Sequence, residues 1–139
     1  MPYLSIPVFL ASLLAGNAVQ PFPPEITEFI PYQNNPVFQP GGPECWDAAI
    51  RERGWILRED GAYHLWYTGY QPGDAQTMKL GYATSPDGIS WTRHPGNPIY
   101  SEHWVEDMMV VKLGPTYYMF AEGKDDQAHL LTSADRLHW

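Results

Sequence analysis

Three acidic residues are placed where they could do chemistry together: Asp47 in the segment CWDAAI, Asp107 in VEDMMV and Glu122 in FAEG. A protonated carboxyl group beside an ionised one can donate and accept protons at a bond that is being broken. Crowding of like charges raises the pKa of one member, and this separates the two states. We therefore treat Asp47, Asp107 and Glu122 as candidate catalytic residues.

Each of these residues also has a purely structural interpretation. Asp47 could hydrogen-bond its own backbone before a strand, as Asp often does in turns. Beside Asp107, Glu106 is a competing carboxylate. Glu122 lies in an apolar stretch, where an unpaired charge is costly. It could point into a site as an acid, or it could form an ion pair with Lys124 or an arginine.

An internal repeat is the reason to consider Asp47 and Asp107 together. GYATSPDGISW, residues 81–91, recurs as HLLTSADRLHW at residues 129–139. Upstream, NPVF matches NPIY, CWDAAI matches VEDMMV and YHLWYTG matches YYMFAEG, all in the same order. These landmarks predict a unit of roughly 50 to 60 residues with about four strands, a period typical of β-propeller blades. The alignment places Asp47 opposite Asp107.

The elements that must position these residues are predicted to be strands. Asp-Gly between two strand-like runs predicts a hairpin, and no stretch after residue 20 keeps a helical apolar period. Asp87 and Asp135 are assigned to hairpin turns, which each would cap through local backbone hydrogen bonds. The predicted fold is all-β, with blades at residues 46–95 and 96–139 and an irregular Pro- and Gly-rich segment at 19–45.

The N-terminal segment indicates export. LSIPVFLASLLAG, residues 4–16, is apolar and is followed by small residues. It is shorter than the about 20 residues that span a bilayer. The pattern predicts a signal peptide at residues 1–18 and an extracytoplasmic protein that leaves the membrane after cleavage. A buried apolar strand or helix is the alternative.

Composition argues against several partners and sites. The formal net charge of −8 argues against nucleic acid, whose phosphates would be repelled. The single cysteine, Cys45, excludes an internal disulfide framework and is interpreted as a small packed residue. His64 and His103 lack metal-ligand spacing, so no metal-binding residue is assigned.

The motifs resemble a known group of enzymes. WDAAIRERGWILREDGAYHLWYTGY, KLGYATSPDGISWTRHPGNPIY and VEDMMVVKLGPTYYMFAEG look like the five-bladed β-propeller glycoside hydrolases, a group that includes families 43, 32 and 68. The resemblance covers about residues 35–139 and corresponds to the N-terminal two blades only. It implies a carbohydrate substrate and a funnel lined by acidic residues at the starts of inner strands.

The resemblance also implies roles for the candidates. Asp47 matches the first-blade aspartate, which acts as general base or nucleophile. Asp107 matches the second-blade aspartate, which orients the sugar and stabilises the positive charge of the transition state. The general acid is normally a glutamate on a later blade, outside this chain, and Glu122 is the candidate within it. No cofactor is required; calcium occupies the channel of some related propellers but is not evident here.

Residues beside the carboxylates are the predicted substrate contacts. Trp46 and Trp104 could stack on sugar rings, whereas Trp66 is assigned to the core. Glu106 and Arg51 are assigned as substrate-binding residues. Arg51 and Arg53, near the inner strand, could bind sugar hydroxyls or offset the carboxylates, although a solvated face is the default for both.

The leading hypothesis is a glycoside hydrolase acting on oligo- or polysaccharides. The alternative is a non-catalytic carbohydrate-binding or scaffold propeller. A third reading, a phosphorylase on the same fold, would need a basic phosphate pocket. Two blades do not close a ring. Either the natural chain is longer, or this one is a fragment, or copies assemble as a homo-oligomer that completes the propeller.

Overall fold

The computed structural model describes residues 22–74 and 78–139. The predicted signal peptide at residues 1–18 lies outside the described residues. The chain divides into two compact units, Met1–Gln33 and Asn34–Trp139. The described part of the first contains one short 3-10 turn, Pro24–Ile26. The second contains all the strands.

Five antiparallel strands form the first sheet, here sheet A. β3 is its centre: β4 pairs with one edge of β3, and both β1 and β2 pair with the other edge. β1 and β2 therefore act as one inner strand that is broken at residues 51–54, where Arg53 has a φ of 65°. The strands are β1 Ala49–Ile50, β2 Trp55–Glu59, β3 Ala62–Tyr70, β4 Lys79–Ser85 and β5 Thr92–Arg93.

Three antiparallel strands form sheet B, in the order β6-β7-β8. The described residues of this sheet thus supply one strand fewer than the four predicted. The inner strand is irregular between Glu106 and Met109, and Asp107 there has a φ of 50°. The all-β prediction is confirmed, since the described residues contain no α-helix. The strands are β6 Glu106–Leu113, β7 Thr116–Glu122 and β8 Ala128–Ser133.

The same hairpin turn closes both copies of the repeat. After β4, the Ser85 hydroxyl oxygen accepts the backbone N–H groups of Asp87 (3.2 Å) and Gly88 (2.8 Å). Asp87 Oδ1 in turn accepts two further backbone N–H groups. Ser133 and Asp135 repeat the arrangement after β8. These side chains satisfy backbone groups locally, as the sequence predicted.

The two sheets pack against each other through an apolar core. Trp66, in the middle of β3, is fully buried, as the sequence predicted. It belongs to a cluster with Leu80 and, from sheet B, Val110 and Met119. Thr68 Oγ1 donates a hydrogen bond of 2.9 Å to the backbone oxygen of Val105, so the polar group buried here is satisfied.

A charged network joins the sheets near the β2–β3 turn. Glu59 accepts hydrogen bonds from Lys112 and Tyr117 of sheet B and from Arg136, beyond β8. The Lys112 ammonium, followed by the Tyr117 hydroxyl, lowers the pKa of Glu59 below its usual value. This network lies at the opposite end of β3 from Tyr70.

The other face of sheet A is covered by the segment that precedes it. Leu65, Tyr67 and Ala83 form a second buried cluster, against which Phe38 and Trp46 pack. Gly81 is required here because a Cβ at this position would overlap the Tyr67 ring. The predicted irregular segment therefore serves as a cover for the sheet from about residue 38 onward.

Asn97, in the NPIY segment, bonds to the outer edge of β4. Its Oδ1 accepts the Tyr82 N–H at 3.0 Å, and its Nδ2 donates to the Tyr82 oxygen at 2.9 Å. Nδ2 also lies 3.2 Å from the Tyr67 hydroxyl oxygen. The following residues continue this pairing through Leu80 and Tyr100. The Asn97 amide thus makes the two hydrogen bonds with the Tyr82 backbone that a neighbouring strand would otherwise make.

Candidate functional site

Asp47 lies in a buried ion pair. Its carboxylate is 2% exposed, and Oδ2 accepts hydrogen bonds from Arg93 Nε at 2.8 Å and from the Tyr67 hydroxyl at 3.0 Å. Burial raises the pKa of Tyr67, and the Asp47 charge raises it further. Trp46 packs beside Tyr67, with ring centroids 5.8 Å apart. The structure thus places Asp47 and Trp46 within the segment that covers this face of sheet A.

Glu106, at the start of β6, is held by two neighbours. Its side chain is 7% exposed, with Oε2 2.8 Å from Arg51 Nε and Oε1 2.8 Å from the Trp104 indole nitrogen. Arg51 comes from the break between β1 and β2, so this contact joins the two sheets. The predicted residues Arg51, Trp104 and Glu106 therefore lie together, and both Glu106 oxygens are occupied.

Asp107 points toward the same break in the inner strand of sheet A. Oδ2 lies 2.6 Å from Arg53 Nη2, and the side chain is 11% exposed. The second oxygen, Oδ1, is buried and has no hydrogen-bond partner among the described residues. A buried acceptor without a donor is costly, so Asp107 has an unused capacity to accept a hydrogen bond.

Glu122 completes a cluster of acidic side chains. It is the last residue of β7 and pairs in register with Glu106 of β6. Its pKa is raised above the usual value by burial first, then by the hydrogen bond with Asp126 and by the charges of Asp107, Asp126 and Glu106. A carboxyl group with a raised pKa is better suited to donate a proton than one with an ordinary pKa.

The strand registers revise one prediction. Trp66 pairs with Trp55 and Tyr82, whereas Phe120 pairs with Met109 and Leu130. Trp55 and Met109 therefore occupy equivalent positions in the two sheets.

Two residues before each of these positions lie Arg53 and Asp107, both with positive φ. Arg53 and Asp107 thus lie at the same distance before paired residues, in irregular parts of the two inner strands. Asp47 falls before β1, where the alignment of short motifs had no strand register to fix it.

Next to the carboxylates is an open polar cleft of about 370 Å³. Trp104 connects Glu106 to this cleft. Its indole nitrogen donates a hydrogen bond to Glu106, and its side chain lines the cleft. The loop between β7 and β8 supplies the other wall. The lining residues are Glu102, His103, Trp104, Lys124, Asp125, Gln127 and His129.

Sequence reasoning missed Arg93 and Asp126, and it named Arg53 beside Arg51 without a definite partner. Arg93 and Asp47 are 46 residues apart in the chain, so no local pattern links them. Asp126 lies in the short 3-10 turn Lys124–Asp126, which no repeat landmark covers. A signal was available for Arg53, since alignment on the central strands alone, YHLWYTG with YYMFAEG, sets Arg53 opposite Asp107.

Residues 22–74 and 78–139 contain no group of three or more His, Cys, Asp or Glu side chains placed to hold a metal ion. Within the same ranges, no helix has the length and apolar character needed to cross a membrane.

No protein-family model matches the chain, and no curated protein matches it. Solved structures do resemble it. The GH32 β-fructofuranosidase BmSUC1 of Bombyx mori aligns with a TM-score of 0.54 and 23% identity, over 62% of this chain and 21% of that one. A mutant of the same enzyme in complex with sucrose gives 0.52 and 22%, over 60% of this chain and 20% of that one.

A glycosyl hydrolase from Bacteroides ovatus aligns with a TM-score of 0.63 and 20% identity. The alignment covers 78% of this chain and 39% of that one. The chain therefore spans about a fifth to two fifths of the lengths of these proteins. At these identities the likeness is one of fold: the two sheets match part of the propeller in glycoside hydrolases, and the resemblance expected from the sequence is confirmed at that level.

Proposed function

We propose that this chain forms the carbohydrate-cleaving part of a glycoside hydrolase propeller, with its site where β6 begins and β7 ends. The observation that carries the proposal is the meeting of Glu122 with Asp107, Glu106 and Asp126 at that end. Glycoside hydrolysis requires two carboxyl groups at the scissile bond, one protonated and one ionised. Glu122, whose pKa is raised, and the neighbouring Asp107 are the two carboxyl groups that we assign to these parts.

The role that we propose for each carboxyl group follows from the groups that surround it. Glu122 donates its proton to the oxygen of the leaving sugar, because its neighbours disfavour the ionised form. Asp107, held by Arg53, lies beside Glu122 and would stabilise the positive charge that develops on the sugar ring. Glu106 is fixed by Arg51 and Trp104 and orients the substrate.

The proposed position of the sugar is the cleft beside Trp104. Its volume of about 370 Å³ fits a small saccharide, and its wall combines an aromatic ring with polar side chains. One structural neighbour was solved with sucrose, so short oligosaccharides are the first substrates to test. Export through the predicted leader would place the protein outside the cytoplasm, where it would meet oligo- or polysaccharides.

In this proposal Asp47 supports the structure of the inner strand. The sequence predicted a base or nucleophile, and that role stays a prediction. The ion pair between Asp47, in the covering segment, and Arg93 favours a supporting function, in which Asp47 fixes the start of the inner strand.

A non-catalytic carbohydrate-binding propeller is the second candidate. The observation that favours it is that Glu106 and Asp107 are each already paired with an arginine. Such pairing would hold both carboxylates as structural ions. In this case sugar binding at Trp104 would persist without cleavage.

The test is to incubate the full chain with sucrose, with short oligosaccharides and with a panel of nitrophenyl glycosides, and to measure released sugar. We expect hydrolysis of at least one substrate, and a loss of kcat of at least about 100-fold in Glu122→Gln and Asp107→Asn. Asp60→Asn is the matched control: Asp60 is exposed at the β2–β3 turn, and Asn also accepts its positive φ.

Circular dichroism should show that all variants remain folded. Saccharide binding, followed by tryptophan fluorescence, separates the two candidates. Binding without hydrolysis in the wild-type chain would support the non-catalytic alternative. Full activity in the folded Glu122→Gln variant would remove Glu122 from the mechanism, and an absence of both binding and hydrolysis would overturn the proposal.

A further inference from the structure

A buried histidine lies where sheet A meets the turn that follows β8. His64, on β3, is 6% exposed. Its Nδ1 lies 2.5 Å from the Tyr82 hydroxyl oxygen. Its Nε2 lies 3.2 Å from Arg136 Nη1 and 3.3 Å from the backbone oxygen of Glu59. The imidazole therefore contacts groups from β2, from β4 and from the turn after β8.

These contacts determine which ring nitrogen carries the proton. A guanidinium group can only donate hydrogen bonds, so Nε2 of His64 must have a free lone pair when it bonds to Arg136. In the neutral ring, Nδ1 then carries the proton and donates a hydrogen bond to the Tyr82 hydroxyl oxygen. The hydrogen bond from Arg136 thus exists only while His64 is neutral.

A second proton on the ring would exchange one partner of Nε2 for the other. A protonated Nε2 is a donor, so it can no longer accept from Arg136, and two cations would face each other across this contact. The backbone oxygen of Glu59 can accept the new N–H. Protonation therefore replaces a contact between sheet A and the turn after β8 with a contact inside the β2–β3 hairpin.

Arg136 holds this turn on the core of sheet A. Its backbone oxygen accepts hydrogen bonds from the indole nitrogens of Trp66, at 3.1 Å, and Trp139, at 2.9 Å. Its φ of 77° lies in the left-handed region, which an arginine adopts only where the surroundings hold it. The position of the turn against Trp66 therefore depends on the contacts that Arg136 makes.

Charged and titratable groups surround the imidazole on several elements. Burial, followed by the Arg136 charge, lowers the pKa of His64, whereas Glu59 and Asp60 oppose this shift. The neutral ring therefore persists below the pH of about 6.5 at which an ordinary histidine gains its proton. The surrounding groups are Glu59, Asp60 and Tyr82 of sheet A and its turn, and Lys112, Tyr117 and Arg136 of sheet B and the turn after it.

We propose that His64 forms a pH-sensitive contact, which holds the turn after β8 on sheet A while the ring is neutral and releases Arg136 when the ring is protonated. Acidification then loosens the packing between the two sheets at this end. The proposal does not depend on the proposed activity.

Nuclear magnetic resonance of the isotope-labelled full chain tests this contact without any substitution. At pH 7 the His64 ring should carry its proton on Nδ1 alone. As the pH falls, His64 should titrate below about pH 6.5. The indole N–H signals of Trp66 and Trp139 should shift with the same midpoint, because Arg136 supplies their acceptor. His103, which is exposed, is the reference in the same sample.

A charge-removing variant identifies the partner. Arg136→Gln keeps a hydrogen-bond donor and removes the positive charge, so His64 should titrate at a higher pH than in wild type. Arg58→Gln is the matched control: Arg58 is exposed on β2 and lies over the Tyr63 ring, so its replacement should leave the His64 midpoint unchanged.

Stability gives a second measurement. The unfolded chain takes up a proton on His64 at about pH 6.5, which the folded chain resists, so stability is lost as the pH falls through this range. Between pH 7 and pH 5, the unfolding equilibrium constant in urea should rise at least about fivefold more in wild type than in His64→Gln.

Several results would overturn the proposal. One is a His64 ring that carries its proton on Nε2 at pH 7, and another is a ring that titrates together with His103. A titration of His64 that leaves both indole signals unchanged would show that the turn is not released. Equal midpoints in wild type and Arg136→Gln would remove Arg136 from the contact.

Discussion

Asp47 Oδ2 lies 2.8 Å from Arg93 Nε, and this contact joins the residues before β1 to β5 at the opposite side of sheet A. The Asp47 carboxylate is 2% exposed, whereas the Arg93 side chain is 34% exposed. The pair therefore buries the anion and leaves part of the cation in contact with solvent. The same guanidinium lies 4.4 Å from the centre of the Phe38 ring, so it also holds the covering segment.

The ion pair gives the first prediction. Arg93→Met should lower the free energy of unfolding by about 3 kcal/mol, because it leaves a buried carboxylate without its cation. Urea unfolding measures this change. Combining it with Asp47→Asn should restore part of the loss, since the double variant has no unpaired charge; a strictly additive double variant would show that the pair is not coupled.

Asn97 provides the second prediction. Asn97→Ala should lower the free energy of unfolding by about 2 to 3 kcal/mol, because three hydrogen bonds to Tyr82 and Tyr67 are lost. Asn35 is its counterpart in the first NPVF segment and is exposed, so Asn35→Ala is the matched control. We expect a change below about 0.5 kcal/mol there. Equal losses in both variants would contradict the role given to Asn97.

The pH dependence of stability tests the environment of Glu122. Its folded-state pKa is raised, so the folded chain holds a proton that the unfolded chain releases as the pH rises above about 4.3. The wild-type chain should therefore lose stability as the pH rises through the folded-state pKa. Glu122→Gln, which cannot ionise, should melt at a higher temperature than wild type at pH 7.

The difference between Glu122→Gln and wild type should disappear below pH 4, where both side chains are neutral. A variant that melts lower than wild type at pH 7 would show that the Glu122 charge is stabilised rather than opposed. Asp60→Asn serves again as the exposed control. This measurement needs no substrate, so it remains informative whichever function the chain has.

The hairpin turn after β4 predicts a pH dependence of stability that is opposite to the one expected for Glu122. Backbone N–H groups of Ser90 and Ile89, followed by the Ser85 hydroxyl, lower the pKa of Asp87 to about 2. The stability that this carboxylate contributes is present above its unfolded pKa of about 3.9 and is lost as the pH falls toward 2. Asp87→Asn should thus lower the melting temperature at pH 7 and have little effect at pH 2. An effect that does not change with pH would exclude the charge as its cause.

Several features could be predicted from the sequence because they depend on residues close together in the chain. The Ser-x-Asp turns, the hairpins and the all-β character follow from turn chemistry and apolar alternation over about ten residues. The burial of Trp66 followed from its place in an aromatic strand. The grouping of Glu106, Trp104 and Arg51 near one end was also expected, although their individual contacts were not.

Other features were not predictable from local pattern. The inner strand of sheet A breaks at residues 51–54 and that of sheet B shifts register between Glu106 and Met109, so the motif alignment of Asp47 with Asp107 had no strand pairing to support it. Backbone pairing fixes register, whereas similarity between short motifs tolerates a shift of several residues. The error arose where the chain leaves the regular strand.

The sequence by itself determined that a unit of strands and turns is repeated, because strands and turns depend on neighbouring residues. The tertiary structure decided which charges meet. Arg51 reaches Glu106 across 55 residues and Arg93 reaches Asp47 across 46, and Asp126 approaches Glu122 only because a 3-10 turn follows β7. The physical reason is that the protonation and burial of a carboxylate depend on groups a few ångströms away in space, whatever their distance along the chain.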